Sequence, residues 1–306
     1  MAELVSIGEC MVELSRRQDG FTLAYGGDTF NTAVYAARLG IGVAYATALG
    51  DDPYSQAILD LAGREGVAVD AVPRLPGRVP GLYVIETDDK GERRYFYWRG
   101  EAPARQLFEL AESAPLLEAM REARCVYFSG ITLSLFSPLG LDRFEAAVRR
   151  AREAGARIAF DGNYRPRGWG GDAARARATM ARFLALVDIA LPTFDDERAL
   201  WDDGDVAATI ARLRALGVGE IAVKNGADGA ILAAGDTTLA IDVPDRIAPL
   251  DTTAAGDSFN AGYLAARLRE GPPADAVLLG HRLAGIVIRH RGAIVPKEAT
   301  ADLNRG

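Results

Sequence analysis

The chain has 306 residues, 49% of them hydrophobic and 25% charged, which is enough apolar material for one large α/β domain or two smaller ones. A net charge of −7 with no basic stripe excludes a general nucleic-acid binder, so basic residues must act locally. No apolar run reaches the roughly 18 residues of a membrane span, the acidic start MAELVSIGEC lacks the regions of a signal peptide, and Cys10 and Cys125 are too few for a disulfide framework; a cytoplasmic protein without membrane partners is expected.

The first apolar run, 4–8, predicts a strand, and Cys10 behind it reads as a small buried side chain. Next comes GGDTFNTAVYAARLG at 26–40, a glycine pair before a helical pattern at 28–39. Gly26 and Gly27 make a simple turn or let the backbone approach a sugar, to which Asn31 offers a donor and an acceptor. A strand at 43–49 and a helix at 54–65 follow. Residues 81–100, GLYVIETDDKGERRYFYWRG, break the rhythm as two strands joined by a DDKG turn. Too small for a core of its own, this hairpin is expected to join residues of about 10–25 in a small sheet. The expected organisation is a single domain, 1–306, with a discontinuous β-lid from about 10–25 and 79–101. Alternation places Arg93, Tyr95, Tyr97 and Arg99 on one face of the second hairpin strand and Arg94, Phe96 and Trp98 on the other. The first face either packs across strands or presents Tyr97 and Arg99, with Tyr83 opposite, to a substrate carrying a carboxylate and hydroxyls.

Strands at 125–129, 157–160, 187–191 and 220–224 then alternate with helical patterns at 138–154, 173–185 and 205–216. That order predicts a doubly wound, mostly parallel sheet with helices on both faces and ligands beyond the carboxyl ends of its strands. At such ends lie FDGNYRPRGW (160–169), where Arg165 is a surface or a site arginine, and LPTFDDE (191–197), an acidic first helical turn. KNGADG (224–229) is a hairpin turn or a loop able to pass close to a nucleotide. Within DTTAAGDSFNAGYLAARL (251–268), Ala254, Ala255 and Gly256 carry nothing larger than a methyl, so their amides and the following helix start can hold phosphate. Asp257 caps that helix or acts as the base for an attacking hydroxyl. No strand is followed by GxGxxG, which argues against a nucleotide-dependent dehydrogenase.

Residues 251–268 resemble the second signature of the ribokinase-like (PfkB) carbohydrate kinases from Asp251 through Gly256 and Asp257 to Ala261, Gly262, Tyr263 and Leu264. Residues 26–40, followed by Gly50, resemble the first signature, with Thr29 where Gly, Ala or Pro is usual, a departure that suggests a subgroup with its own substrate pocket. GECMVEL, YFYWR, DGNYRPRGW and RGAIVP extend the likeness from Gly8 to about Pro296, towards the 2-keto-3-deoxygluconate kinase branch of that family.

The resemblance implies a ribokinase-like α/β fold whose β-lid shields the sugar and forms a subunit contact, hence a homo-oligomer. It implies ATP-dependent phosphorylation of the primary hydroxyl of 2-keto-3-deoxygluconate, giving the 6-phosphate, with Asp257 as base and Gly256 among the groups that stabilise the transferred charge. Gly27, Tyr83, Tyr97, Arg99 and Arg165 would hold the sugar acid beside Asn31 and Asp257. ATP would lie along Asn163, Tyr164 and Arg165, along Lys224, Asn225, Gly226, Ala227, Asp228 and Gly229, and along Ala254, Ala255 and Gly256. Many relatives organise Mg²⁺ with Asn-x-x-Glu; here Thr193 and Asp196 take those positions, so Asp196 or Glu197 would act through water. A monovalent cation near Asp251 stays open. The alternatives are a fructokinase or ribokinase-type kinase of a neutral sugar, and a catalytically silent sugar-binding sensor.

Overall fold

The computed structural model describes residues 2–87 and 93–304. After β1 (Leu4–Ile7) the chain makes an antiparallel pair, β2 (Met11–Arg17) and β3 (Gly20–Gly26), and returns through α1 (Asp28–Arg38) to β4 (Val43–Ala46), which lies parallel to β1. Then come β5 (Leu49–Gly50), α2 (Pro53–Arg64), β6 (Val67–Ala68), β7 (Arg74–Leu75) and the hairpin β8 (Leu82–Thr87) and β9 (Arg93–Trp98). The next stretch is α3 (Ala114–Glu122), β10 (Cys125–Ser129), α4 (Gly130–Leu135), α5 (Pro138–Glu153), β11 (Arg157–Asp161), α6 (Ala173–Leu184) and β12 (Ile189–Ala190). It closes with α7 (Phe194–Trp201), α8 (Val206–Ala215), β13 (Glu220–Lys224), β14 (Ala230–Ala234), β15 (Thr237–Ile241), α9 (Ala255–Leu268) and α10 (Pro273–Val287).

Among the described residues the main sheet has nine strands in the order β15-β14-β13-β12-β11-β10-β1-β4-β6, parallel from β6 to β13, with an antiparallel edge. This is the mostly parallel sheet expected, and it is buried on both faces. Alternation sends Val5 and Ile7 into one core, with Phe128, Phe144, Phe160 and Phe183, and Leu4 into the other, with Phe30, Tyr35, Phe259 and Tyr263. Helix starts are fixed locally: Asp52, Ser137, Asp172 and Asp205 accept backbone N–H groups at the N-termini of α2, α5, α6 and α8.

A second sheet runs β3-β2-β8-β9, in which β2 and β8 pair in parallel and so join the two separate excursions. The DDKG turn expected between β8 and β9 lies outside the described residues. Register puts Met11, Tyr83, Ile85 and Tyr95 on the inner face, where they pack together. The outer face carries Leu14, Leu23, Val84 and Phe96 in one row and Val12, Tyr25, Leu82 and Trp98 in the next.

Candidate active site

A cleft of about 800 Å³ opens over the carboxyl end of β11 and the first turns of α1, α7 and α9, and Tyr95 of the small sheet is among its lining residues. Ala254, immediately before α9, is in the left-handed region at φ 59°, which costs a residue with a Cβ about 1–2 kcal/mol, and no side chain caps the helix. The Ala255 N–H turns back to Thr252 O at 3.2 Å. Within the helix the Gly256 and Asp257 N–H groups have no carbonyl one turn behind them, so this end is a cradle for an anion.

Asp257 stands in that first turn and lines the cleft. Asn31 Nδ2 donates to its Oδ2 at 2.8 Å, and Thr32 Oγ1 donates to its carbonyl at 3.1 Å, so α1 fixes both the side chain and the backbone of the carboxylate. Burial first, then the nearby Asp28 charge, pushes the Asp257 carboxyl up to about 7, against the Asn31 bond and Lys224, which pull it down. Asp28, itself raised by burial, accepts from Asn163 Nδ2 at 2.7 Å. Asn31 Oδ1 is buried with no partner among the described residues, and a Cβ built on Gly26 would meet it at 3.4 Å and Tyr83 Oη at 3.6 Å. The open side of Gly26 is therefore where a hydroxyl-bearing ligand can reach Asn31.

The glycine pair divides its roles. Gly27 is glycine because Glu9 O would lie 2.0 Å from any Cβ there. Thr29 is fully buried against Tyr45 and Gly8, so it lies in the wall behind the site.

Of the four lid and loop side chains expected to meet the sugar acid, Arg165 lines the cleft and Tyr97 lies near enough to feel the Arg99 and Arg165 charges, but three of the four are already engaged. Tyr83 Oη donates to Glu13 Oε2, and Ser15 holds the other oxygen of that carboxylate. Arg99 forms an ion pair with Glu9, which is 4% exposed and whose carboxyl is raised by burial in spite of the guanidinium. That ion pair takes up Glu9 Oε2 and Arg99 Nη2, whereas Glu9 Oε1 and Arg99 Nε are buried without a hydrogen bond among the described residues, so the pair keeps some capacity for a ligand that brings hydroxyls and a carboxylate. Arg165 donates to Asp196 at 2.9 and 3.0 Å. Tyr97 faces Tyr83 across the hairpin, ring centroids 5.8 Å apart, and keeps an exposed edge. Glu9 and Glu13 were missed from sequence, because a lone carboxylate on or beside a strand carries no spacing signal.

The expected nucleotide residues separate. The Tyr164 side chain is 6% exposed and packs in the apolar core. Asn163, at φ 34°, and Arg165 line the cleft. Asn225–Gly229 is a tight turn between antiparallel β13 and β14, closed by Asn225 N–H to Gly229 O at 2.8 Å. Lys224 departs from that loop: its ammonium turns inward to Asp161 and Asn260. Gly226 and Ala227 border a second cavity of about 740 Å³, whose walls include Val243, Pro244, Ile247, Ala248 and Ile286 and which shares Pro249, Thr252 and Ala255 with the cleft. An apolar chamber joined to an anion cradle through Ala255 suits a nucleotide, base on one side and phosphates on the other. Segments 243–249 and 281–289 were not legible as one site because they meet only in three dimensions.

Asp28, Asp161, Asp195, Asp196, Asp251 and Asp257 line the cleft, with Arg165 as the cation among the lining residues. Oxygen donors of this kind fit a hard divalent cation. Among the described residues no three His, Cys, Asp or Glu side chains form a ready metal cage, so such a cation would draw most donors from phosphate and water. Asp196, already paired with Arg165, is the carboxylate at the sequence-expected position, beside Thr193.

Residues 1–300 match the family described as pfkB family carbohydrate kinase, and the chain belongs to that family. It is 43% identical to the 2-dehydro-3-deoxygluconokinase of Escherichia coli (strain K12) over 97% of this chain and 98% of that one. It is 36% identical to the 2-dehydro-3-deoxygluconokinase of Haemophilus influenzae over 99% and 98%. Its fold is similar to the crystal structure of aminoimidazole riboside kinase from Salmonella enterica complexed with aminoimidazole riboside and an ATP analogue, with a TM-score of 0.84, 25% identity, and 99% and 98% of the two chains covered.

Proposed function

We propose that this chain is an ATP-dependent kinase of 2-keto-3-deoxygluconate, the compound also called 2-dehydro-3-deoxygluconate, and that it phosphorylates the primary hydroxyl. The observation that carries the reading is Asp257: a carboxylate raised to about 7 and aimed by Asn31, in the same helical turn as an anion cradle. Full-length likeness to curated kinases of this sugar acid supports the substrate class.

In the proposed reaction Asp257 takes the proton of the hydroxyl as its oxygen attacks the γ-phosphoryl group of ATP in line; the new O–P bond forms as the bond to ADP breaks. The Gly256 and Asp257 amides meet the charge that develops on the phosphoryl oxygens. Arg99 and Arg165 take the sugar-acid carboxylate, with Glu9 and Asp196 holding them meanwhile, and Tyr83, Tyr97, Asn31 and the Gly26–Gly27 backbone position the hydroxyls. ATP would use the chamber beside Gly226 and Ala227 for its base and the turn at Ala254, Ala255 and Gly256 for its phosphates, with Asn163 and Arg165 alongside. Mg²⁺, held by Asp196 through water, would shield the phosphate charge; a monovalent cation near Asp251 would serve the same turn.

The chain is read as one domain with a discontinuous β-lid. An exposed outer lid face, with Phe21, Leu23, Phe96 and Trp98 at 51, 47, 36 and 60% exposure, supports a homo-oligomer that covers it.

ADP release measured across a panel of acid and neutral sugars tests the reading. Turnover with 2-keto-3-deoxygluconate far above that with fructose or ribose is expected. Preference for a neutral sugar would replace it with the neutral-sugar kinase reading, and no turnover with any sugar would favour a silent sensor.

A further inference from the structure

Glu9 lies in the short link between β1 and β2, and its side chain is sealed in at 2% exposure, whereas that of its partner Arg99 is 19% exposed. Gly81, just before β8, closes over the pair: a Cβ there would meet Glu9 Oε1 at 2.6 Å and Arg99 Cβ at 3.1 Å. Glu9 Oε2 is taken by the ion pair, and Oε1 is buried without a hydrogen bond among the described residues. The charge of this carboxylate therefore leans on one guanidinium, and the guanidinium is the member of the pair with surface open to a ligand.

The other charges that face Glu9 do not replace Arg99. Arg105, from the turn at 103–109, favours the ionised carboxylate, and Asp28, at the start of α1, opposes it. Cys10 beside it and Tyr45 of β4 feel its charge as well but, raised by burial, stay neutral. Even with the pair intact, burial outweighs Arg99 and Arg105 and lifts the Glu9 carboxyl above its ordinary 4.5.

A sugar-acid carboxylate that engages Arg99 brings a second negative charge to one enclosed positive charge. Two carboxylates on one guanidinium leave a charge out of water without compensation, and protonating one of them removes it. Glu9 is the one to yield, because a carboxylate next to a keto group is the weaker base. Asp196 is in a different position: its side chain is 20% exposed and lines the open cleft, so it keeps water when Arg165 turns to a ligand.

We infer that Glu9 is a proton-taking placeholder for the substrate's carboxylate: sugar-acid binding draws Arg99 from Glu9 to the ligand, and Glu9 takes up a proton from solvent. The charges balance, since an ion pair, a ligand anion and a proton become a neutral carboxylic acid and a new ion pair, and no covalent bond to carbon changes. The inference rests on the sugar-acid reading above and deepens it. A neutral sugar has no charge with which to displace Glu9, so the pair acts in specificity.

Calorimetry of 2-keto-3-deoxygluconate binding to the full-length protein, without nucleotide and in buffers of different ionisation enthalpy, counts the protons exchanged. Uptake of up to about one proton per site is expected, with Kd weakening by up to about tenfold per pH unit from 7 to 8.5 and neither effect for a neutral hexose. Glu9→Gln should abolish the uptake, flatten Kd against pH and bind the sugar acid at pH 8 at least as tightly as the unmodified protein. Because that variant leaves Arg99 unpaired, thermal unfolding checks its fold. Asp196→Asn and Asp257→Asn, which remove the other carboxyls of the site able to titrate, should keep the uptake. Binding to the unmodified protein without proton uptake, uptake that persists in Glu9→Gln, or uptake lost in Asp196→Asn or Asp257→Asn would overturn the inference while leaving the substrate reading intact. If 2-keto-3-deoxygluconate does not bind at all, the substrate reading has failed and the role given to Glu9 falls with it.

Discussion

Asn31 Nδ2 lies 2.8 Å from Asp257 Oδ2 although the two residues are 226 positions apart in the chain. The bond ties the first signature helix to the second and leaves Asn31 Oδ1 free to meet a ligand hydroxyl. One amide thus touches both the proposed base and the place from which its proton would come.

Replacing Asp257 by Asn should lower kcat by about 10² or more, the scale of a lost general base, while ATP affinity stays nearly intact. In the unmodified enzyme the base must be ionised. Since its carboxyl sits at about 7, kcat/KM should fall about tenfold per pH unit below that point. A pH–rate profile flat between 5 and 8 would reject the assignment.

Asn31→Ala removes the hydrogen bond that favours the ionised carboxylate, so the acid limb of the same profile should move to higher pH. The sugar-acid KM should rise as well, because the orphan oxygen goes with the amide. Steady-state kinetics from pH 5.5 to 9 read both effects in one experiment.

Asp257 also carries a stability cost whose sign is fixed. Its folded value is about 7 against an ordinary 3.8, so between those values the folded protein binds more protons than the unfolded chain, and stability contributed by the group falls as pH rises through that window. Asp257→Asn should therefore be more stable than the unmodified protein above pH 7, with the difference shrinking towards pH 4. Thermal unfolding at the two ends checks it.

Arg99→Ala and Arg165→Ala should each raise KM for the sugar acid roughly 10- to 100-fold, the value of a charge-assisted hydrogen bond, without improving a neutral hexose. Glu9→Gln separates the roles of the pair: it leaves Arg99 unneutralised and should not weaken acid-sugar binding if Glu9 only holds the guanidinium in waiting.

Trp98→Asp together with Phe96→Asp places charge on the outer lid face. Sedimentation should show the unmodified chain as an oligomer and this variant as a smaller species. An unmodified chain that sediments as a monomer at micromolar concentration would remove the lid-mediated assembly.

Much of this architecture was legible because it is local. Short runs of branched residues announced the parallel strands, and Asp172 or Ser137 marked a helix start within one turn. The strand at 187–191 is shorter than expected, Ile189–Ala190, although Asp188 and Leu191 on its flanks still donate backbone N–H groups to Ile158 and Phe160 of β11. The antiparallel edge, β14 and β15, went unread because an edge is defined by its neighbours and not by its own residues.

The sequence alone determined the exposed amides of the turn at Ala254 to Asp257, since these residues are contiguous and a small-residue turn before a helix exposes amides wherever it occurs. It also determined which residues of the YFYWR strand share a face, through the period of two, while the pairing of β2 with β8 decided which face turns inward. Only the tertiary structure decided which charges meet: Glu9 with Arg99, Asp196 with Arg165, and Lys224 with Asp161 are pairs across separate elements. Electrostatic work depends on distance and burial, and neither is written in the order of residues along the chain.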